Sequence, residues 1–269
     1  DQSGEDGMLP TPLGFGPAEI QSFKDDDDAP STWTEAREAY AFIDELEAIE
    51  EVVVGAGNRE RYAYWLAAFQ ALRLMGEYSY ERATFEEAME EDEYEVALES
   101  RRKLARLWEK LMGLEAQKAT NSSDLGEIVN LEVLNWFELV VEENGEALEE
   151  GLGRELPSDA HPSREYTGPP KVIVTPARTV GYADESLVIE ALVLGDATEV
   201  VLHHRSMGLG DFTEIALDHQ ARGVWSTTTP PLADDLEYYV EAVTAEGVVM
   251  WPASAPELNH TVVVLPFQF

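Results

Sequence analysis

The sequence contains no cysteine. That excludes a disulfide-stapled scaffold, a thiolate zinc site and a cysteine nucleophile, and it fits an exported protein as well as a cytosolic one. Cations are scarce, with 18 Lys and Arg against 54 Asp and Glu, for a net charge of -36. Such a surface repels phosphate backbones and anionic lipid headgroups, so neither nucleic acid nor a charged membrane is an expected partner. No apolar run approaches the roughly 20 residues needed to cross a bilayer, so no membrane insertion is expected. No signal peptide is visible and residue 1 is Asp, which leads us to expect a processed form or a fragment of something longer. Also missing are G-x-S-x-G, a P-loop, a Rossmann glycine pattern and H-E-x-x-H, and no cofactor is expected. His203 and His204 are adjacent in a strand pattern and point to opposite faces, so they cannot chelate one metal together, and no metal site is expected. With 54 carboxylates any spacing arises by chance, so no acid pair is singled out and no catalytic residue is assigned.

What is present is a chain of 269 residues with 44% hydrophobic content. That is enough for real cores and for about two domains at roughly 100–150 residues each. The acid excess is spread evenly: residues 1–30 hold eight acids and one Lys, and residues 168–269 hold fourteen acids and four cations. Only five of the 18 cations are Lys. An even, Lys-poor acid excess points to a property of the environment, as in proteins of salt-loving microbes, where salt screens the self-repulsion. A merely acidic secreted protein is the alternative.

The fold class is α+β multidomain. Residues 1–30, rich in Gly, Pro and Asp, read as an acidic extended linker. A helical bundle is expected over 31–156. Its first helix starts at a Thr32/Glu35 capping-box pattern and ends at Gly55-Ala56-Gly57; the second runs from about Asn58 to Gly76. A third covers about Tyr80–Met112 and a fourth about Asp124–Glu143, with a short piece at Gly145–Leu152. Short connections between amphipathic helices imply antiparallel packing. A linker follows at 157–170. Over 171–269, eight strand candidates indicate an immunoglobulin- or fibronectin-like antiparallel β-sandwich: Lys171–Thr175, Ser186–Leu194, Thr198–Arg205, Phe212–Leu217, Val224–Thr228, Leu236–Thr244, Val248–Trp251 and His260–Leu265. Its clearest unit is the hairpin formed by the sixth and seventh of these around Ala245-Glu246-Gly247.

Two groups of residues suit a ligand surface. Arg61, Tyr64 and Trp65, at the start of the second helix, could form a sugar-facing platform, because rings stack on apolar sugar faces and Arg binds hydroxyls or acids. Alternatively Tyr62 and Trp65 are core and the arginines pair with neighbouring glutamates. In the β half, alternation places Leu236, Tyr238, Val240 and Ala242 on one face of their strand, and Glu237, Tyr239 and Glu241 on the other. Tyr239 should then face water or a partner, beside outward His203 and Arg205. Trp225 and Trp251 lie near strand ends and complete a second candidate platform. The alternative is core tryptophans and a packed tyrosine. A further cluster, Asn121, Asn130, Asn135 and Trp136, reads equally well as helix capping plus a buried Trp.

Four stretches, Val200–Arg205, Gly208–Phe212, Gly223–Trp225 and Tyr238–Gly247, together resemble the β-sandwich modules attached to large carbohydrate-active enzymes. The helical stretch Gly57–Arg73 is similar to helical regions that follow the catalytic barrel in some bacterial glycoside hydrolases. The resemblance implies a catalytic barrel upstream of this chain and places no catalytic residue within it. The expected function is therefore the non-catalytic C-terminal accessory region of an exported, extracellular or periplasmic carbohydrate-active enzyme. It would support the upstream catalytic domain of the same polypeptide and contact polysaccharide. The alternatives are a structural or adhesion module of an acidic cell surface, binding another protein, and an enzyme complete in itself.

Overall fold

The computed structural model describes residues 32–133 and 144–266. The linker expected at 1–30, the end of the fourth expected helix, and Asn135 and Trp136 lie outside the described residues. The Thr32 hydroxyl accepts the Glu35 N–H at 3.3 Å and caps α1 (Trp33–Ala36), as the capping pattern predicts. The first helix is not continuous, however. A 3₁₀ turn, Arg37–Tyr40, separates α1 from α2 (Ala41–Ala48), and a second 3₁₀ turn occupies Glu50–Val52. Ala36, Tyr40 and Ile43 are buried at helical spacing, whereas Phe42 and Ile49 stay exposed.

The sequence predicts a helix boundary at Gly76, and the structure has none there. Instead α3 runs unbroken from Ala56 to Glu90, about 50 Å at 1.5 Å per residue. The glycine serves packing. A Cβ on Gly76 would lie 2.3 Å from the Tyr40 hydroxyl oxygen, so only a bare backbone admits that ring. The chain reverses at residues 91–93, where Asp92 takes a left-handed φ of 59° and the Glu93 N–H bonds the Ala88 carbonyl at 2.8 Å. The returning helix α4 (Tyr94–Lys118) passes Gly113 without interruption. It lies antiparallel to α3, with the Tyr78 and Trp108 rings 6.3 Å apart and Lys103 Nζ 3.2 Å from Glu81. Helix α5 covers Ser122–Val133, and α6 (Gly145–Leu152) ends on Gly153 at φ 67°. The helical core joins Tyr78, Phe85, Leu104, Leu111, Leu131 and Leu148, with Ala71, Ala97 and Ala105 allowing close approach. Arg101 is fully buried on α4 and its Nε donates to the Ala160 carbonyl at 3.1 Å.

Ten strands follow among the described residues: β1 (Lys171–Val174), β2 (Val180–Tyr182), β3 (Val188–Leu194), β4 (Ala197–Ser206), β5 (Thr213–Ala216), β6 (Asp218–Ala221), β7 (Val224–Thr228), β8 (Leu236–Thr244), β9 (Gly247–Trp251) and β10 (His260–Leu265). Eight match the expected ones. The two unexpected strands carry little pattern: β6 reads Asp-His-Gln-Ala and is exposed throughout, and β2 is three residues with a central Gly. One sheet has the order β1-β3-β7-β6; the other has β2-β10-β8-β4-β5, with β9 also on β8. Pairing is antiparallel except between β2 and β10. One edge of β8 is shared: β10 takes Leu236–Tyr238 and β9 takes Val240–Thr244. The β8–β9 hairpin pairs Thr244 with Gly247, so Ala245-Glu246 is a two-residue loop. The face predictions for β8 hold: Leu236, Tyr238, Val240 and Ala242 are buried and join Val172, Ile189, Val200, Leu202 and Val262 in one core.

By contacts the described residues divide into two compact units, whose bounds in the chain are as follows. One takes the chain up to Val52, Tyr64–Lys118 and Gly126–Glu165; the other takes Val53–Ala63, Ala119–Leu125 and Tyr166–Phe269. Two segments of the helical half thus belong with the sheets. No helix among the described residues is long and apolar enough to cross a membrane.

Candidate functional site

In the first unit, Tyr64 and Trp65 are the first two residues of its part of α3. The Trp65 indole is 57% exposed, so it is not core. The Tyr64 ring meets it edge-on at 5.4 Å and the Phe69 ring stacks on it at 6.1 Å. Phe42, from α2, meets Phe69 edge-on at 5.3 Å. Four rings therefore form a surface ladder with the largest flat ring outermost. Below it, Arg73 bridges Asp44 and Glu47, each at 2.8 Å, and the Gln70 amide donates to Glu47 at 2.8 Å. The Gln70 hydrogen bond, helped by Arg73 and the Arg37 charge, holds the Glu47 carboxyl below its ordinary range.

Arg61 belongs to the second unit. Its guanidinium donates to Asn58 Oδ1 at 2.6 Å, while Asn58 Nδ2 and Arg59 Nε reach back to the carbonyls of Val54 and Val53. Arg61 is exposed and helps to close the first turn of α3. Asn121 resolves as a helix cap: its Oδ1 accepts the N–H groups of Ser123 and Asp124 at 2.8 and 3.2 Å. Asp124 answers by accepting the Thr120 N–H and hydroxyl, both at 2.8 Å. Asn130 is exposed on α5.

The outer face of β4, β5 and β8 carries the second candidate group. Tyr239 is on this face as expected, yet it is only 8% exposed. His203, opposite it in the β4–β8 register, stacks on it at 4.4 Å with the rings 4° from parallel, and Phe212 covers it edge-on at 5.1 Å. Burial, then the Glu241 and Glu214 charges, raises the Tyr239 hydroxyl above its usual value. The Arg205 guanidinium lies 4.2 Å over Phe212, and its Nε donates to Glu237 at 2.7 Å. The face is thus a closed ring cluster rather than an open stacking surface. Trp225 is half-buried against the core, with His219 4.8 Å from its ring. Trp251 is half-buried too, 5.9 Å from core Tyr238 and 5.1 Å from His260. Trp225, Tyr239 and Trp251 are therefore three separate environments. Among the described residues no cluster of His, Asp and Glu has metal-binding geometry.

One feature escaped sequence reasoning. A groove of about 290 Å³ opens between residues 204–213 and 229–236, walled by His204, Asp211, Pro231 and Asp234 among others. Its walls come from segments separated by sixteen or more residues and carry no motif. Only the sheet register brings them together.

No family model matches the chain, and no curated protein matches it. Solved structures give a partial likeness. An engineered protein from the Northeast Structural Genomics Consortium is 15% identical over 41% of this chain, with a TM-score of 0.30. A double mutant of the Cellulomonas fimi endo-beta-1,4-mannanase is 17% identical over 40% of this chain, with a TM-score of 0.25. The matched part spans 23% and 22% of those two chains. At these scores neither likeness assigns a function.

Proposed function

We propose that the chain is a non-catalytic accessory region of an exported carbohydrate-active enzyme of glycoside-hydrolase type. It supports a catalytic domain of the same polypeptide and contacts glycan through exposed aromatic side chains. The observation that carries this reading is Trp65, a helix-borne indole left 57% exposed. An outward aromatic of that size, braced by Tyr64 and Phe69, presents the flat apolar face that stacks on pyranose C–H groups. Arg61 is the candidate polar contact in the other unit; Trp225, Tyr239 and Trp251 rank after it because neighbouring rings or the core cover much of each. The strand orders β1-β3-β7-β6 and β2-β10-β8-β4-β5 support reading the sheets as an immunoglobulin-like sandwich, with the ABED set in the first sheet and the GFC set in the second, where β2 and β5 are added at the two edges and β9 pairs with β8. The acidic surface supports a location outside the cell, in high salt.

Affinity electrophoresis against a panel of neutral polysaccharides tests the reading. Retardation by at least one polymer, relieved by Trp65→Ala, is the expected result; unchanged mobility across the panel would remove the glycan contact. A second reading, a protein-docking module, is favoured by exposed Ile49 and Val52. It would show as no sugar binding together with self-association or capture of a defined partner.

A further inference from the structure

We infer that the groove beside the β4–β5 turn is a binding site for the terminal unit of a neutral oligosaccharide. This rests on the glycan reading above but concerns a different place in the molecule. One wall is the turn after β4, and it is locked. Gly208 and Gly210 take φ of 73° and 70°, which bends the chain sharply enough to raise Leu209 to its tip. Glu237 then holds the turn from beneath: one carboxylate oxygen accepts the Gly208 N–H at 2.8 Å and Arg205 Nε at 2.7 Å. Arg205 Nη1 in turn donates to the Gly210 carbonyl at 2.8 Å. The opposite wall is equally fixed. Thr229 Oγ1 accepts the Leu187 N–H at 2.9 Å, the Leu232 N–H bonds the Glu185 carbonyl at 2.8 Å, and the Asp235 carbonyl receives the Met207 N–H at 2.8 Å. Both walls are therefore formed in advance, as a binding site requires if ordering is not to consume the binding energy.

The chemistry of the walls selects the occupant. Leu209 is 68% exposed and, with Pro230 and Pro231, provides apolar surface for the C–H face of a sugar ring. Asp211 and Asp234 are exposed at the groove, and among the described residues neither carboxylate has a hydrogen bond or ion pair, so both are open acceptors for ligand hydroxyls. Ser206 and Thr213 add hydroxyls. The positive charge of Arg205 is already matched by Glu237, and burial pushes the His204 imidazole below its ordinary value, keeping it neutral. The net field is negative, which rejects uronates, sulfated sugars and phosphates. The carboxylates are not clustered for a metal. At about 290 Å³ the groove sits at the bottom of the roughly 300–1,000 Å³ range of small-molecule sites, which suits a terminal unit.

Isothermal titration of the whole chain with mannohexaose, cellohexaose, maltohexaose, trigalacturonate and polylysine tests this. Asp211→Asn, Asp234→Asn and Leu209→Ser are run beside Trp65→Ala, with circular dichroism confirming the fold of each. The expected result is binding of at least one neutral hexaose, none of trigalacturonate, little change in affinity between 0.1 and 1 M salt, and a loss of tenfold or more in the groove variants. Neutral-sugar binding that the groove variants leave intact and Trp65→Ala abolishes would overturn this inference while leaving the broader reading standing. No binding of any hexaose would overturn both. Binding of polylysine alone, lost at high salt, would overturn it in favour of a cationic protein partner.

Discussion

Trp65 shows what a residue-level pattern can and cannot carry. Its helical spacing placed it equally well in a core stripe or on an outward platform, because Phe69 and Leu66 continue the apolar run on either side. Only the packing of Phe42 against Phe69 from α2 decides that the buried edge of the ladder is Phe69 and the open one Trp65. Removing an exposed ring leaves the fold nearly untouched, since surface changes usually stay within about 0.5 kcal/mol. Trp65→Ala is thus expected to lower glycan affinity about tenfold, roughly 1.4 kcal/mol, with an unchanged melting temperature. Gly76 is the converse case, a residue whose sequence signal misled. As a helix-interior glycine it costs about 1 kcal/mol against Ala, and the sequence reads it as a stop. The Tyr40 hydroxyl, 2.3 Å from where its Cβ would stand, explains its presence. Gly76→Ala is expected to destabilise by about 1–3 kcal/mol, because overpacking outweighs the propensity gain. Chemical denaturation with Tyr40→Phe as background checks this: Phe removes the closest clashing atom and should recover part of the loss.

At the scale of elements, strands were more legible than helix ends. Alternation in β8 assigns its side chains to the right faces but not the exposure of Tyr239, which His203 and Phe212 cover, and the hairpin to β9 follows from a short Gly-containing turn. By contrast β6, an exposed edge strand of polar residues, has no apolar phase to read; its pairing with β7 comes from the chain returning through the turn at Arg222, φ 53°. In the turn after β4, the Glu237 carboxylate is the one titratable acceptor that holds both the Gly208 N–H and Arg205. The Gly208 N–H, with Asn259 and Arg205, holds Glu237 below the usual carboxylate range. A depressed folded value means that its contribution is complete above the unfolded value of about 4.3 and is lost as pH falls through the folded one. The protection factor of the Gly208 amide, its exchange rate relative to the intrinsic rate at the same pH, should therefore fall on acidification below about pH 4.3, and Glu237→Gln should lower that factor already at pH 7 with the acid dependence removed. Asn121→Ala tests the α5 cap and should cost about 1 kcal/mol.

For the whole molecule, charge dominates. Even if all 18 cations were paired, 36 acids would remain uncompensated, and their repulsion acts against the compact state. Salt shortens the screening length from about 10 Å at 0.1 M to about 3 Å at 1 M. Repulsion summed over a surface loses more by this than the few exposed ion pairs do, each worth about 0–1 kcal/mol. Thermal melts in rising NaCl should accordingly move upward; a flat or falling midpoint would end the high-salt reading. The two-part plan, helices then sheets, was readable because period 3.6 gives way to period 2 near residue 170. The groove was not, because Asp211 and Asp234 come to line it only through the β4–β8 register.

On the proposed reading, this chain holds glycan without cleaving it. The direct measurement is a count of reducing ends released from a polysaccharide that retards the isolated chain in affinity gels. Retention with no new reducing ends above the protein-free control is the expected result. Steady release, proportional to protein concentration, would contradict it.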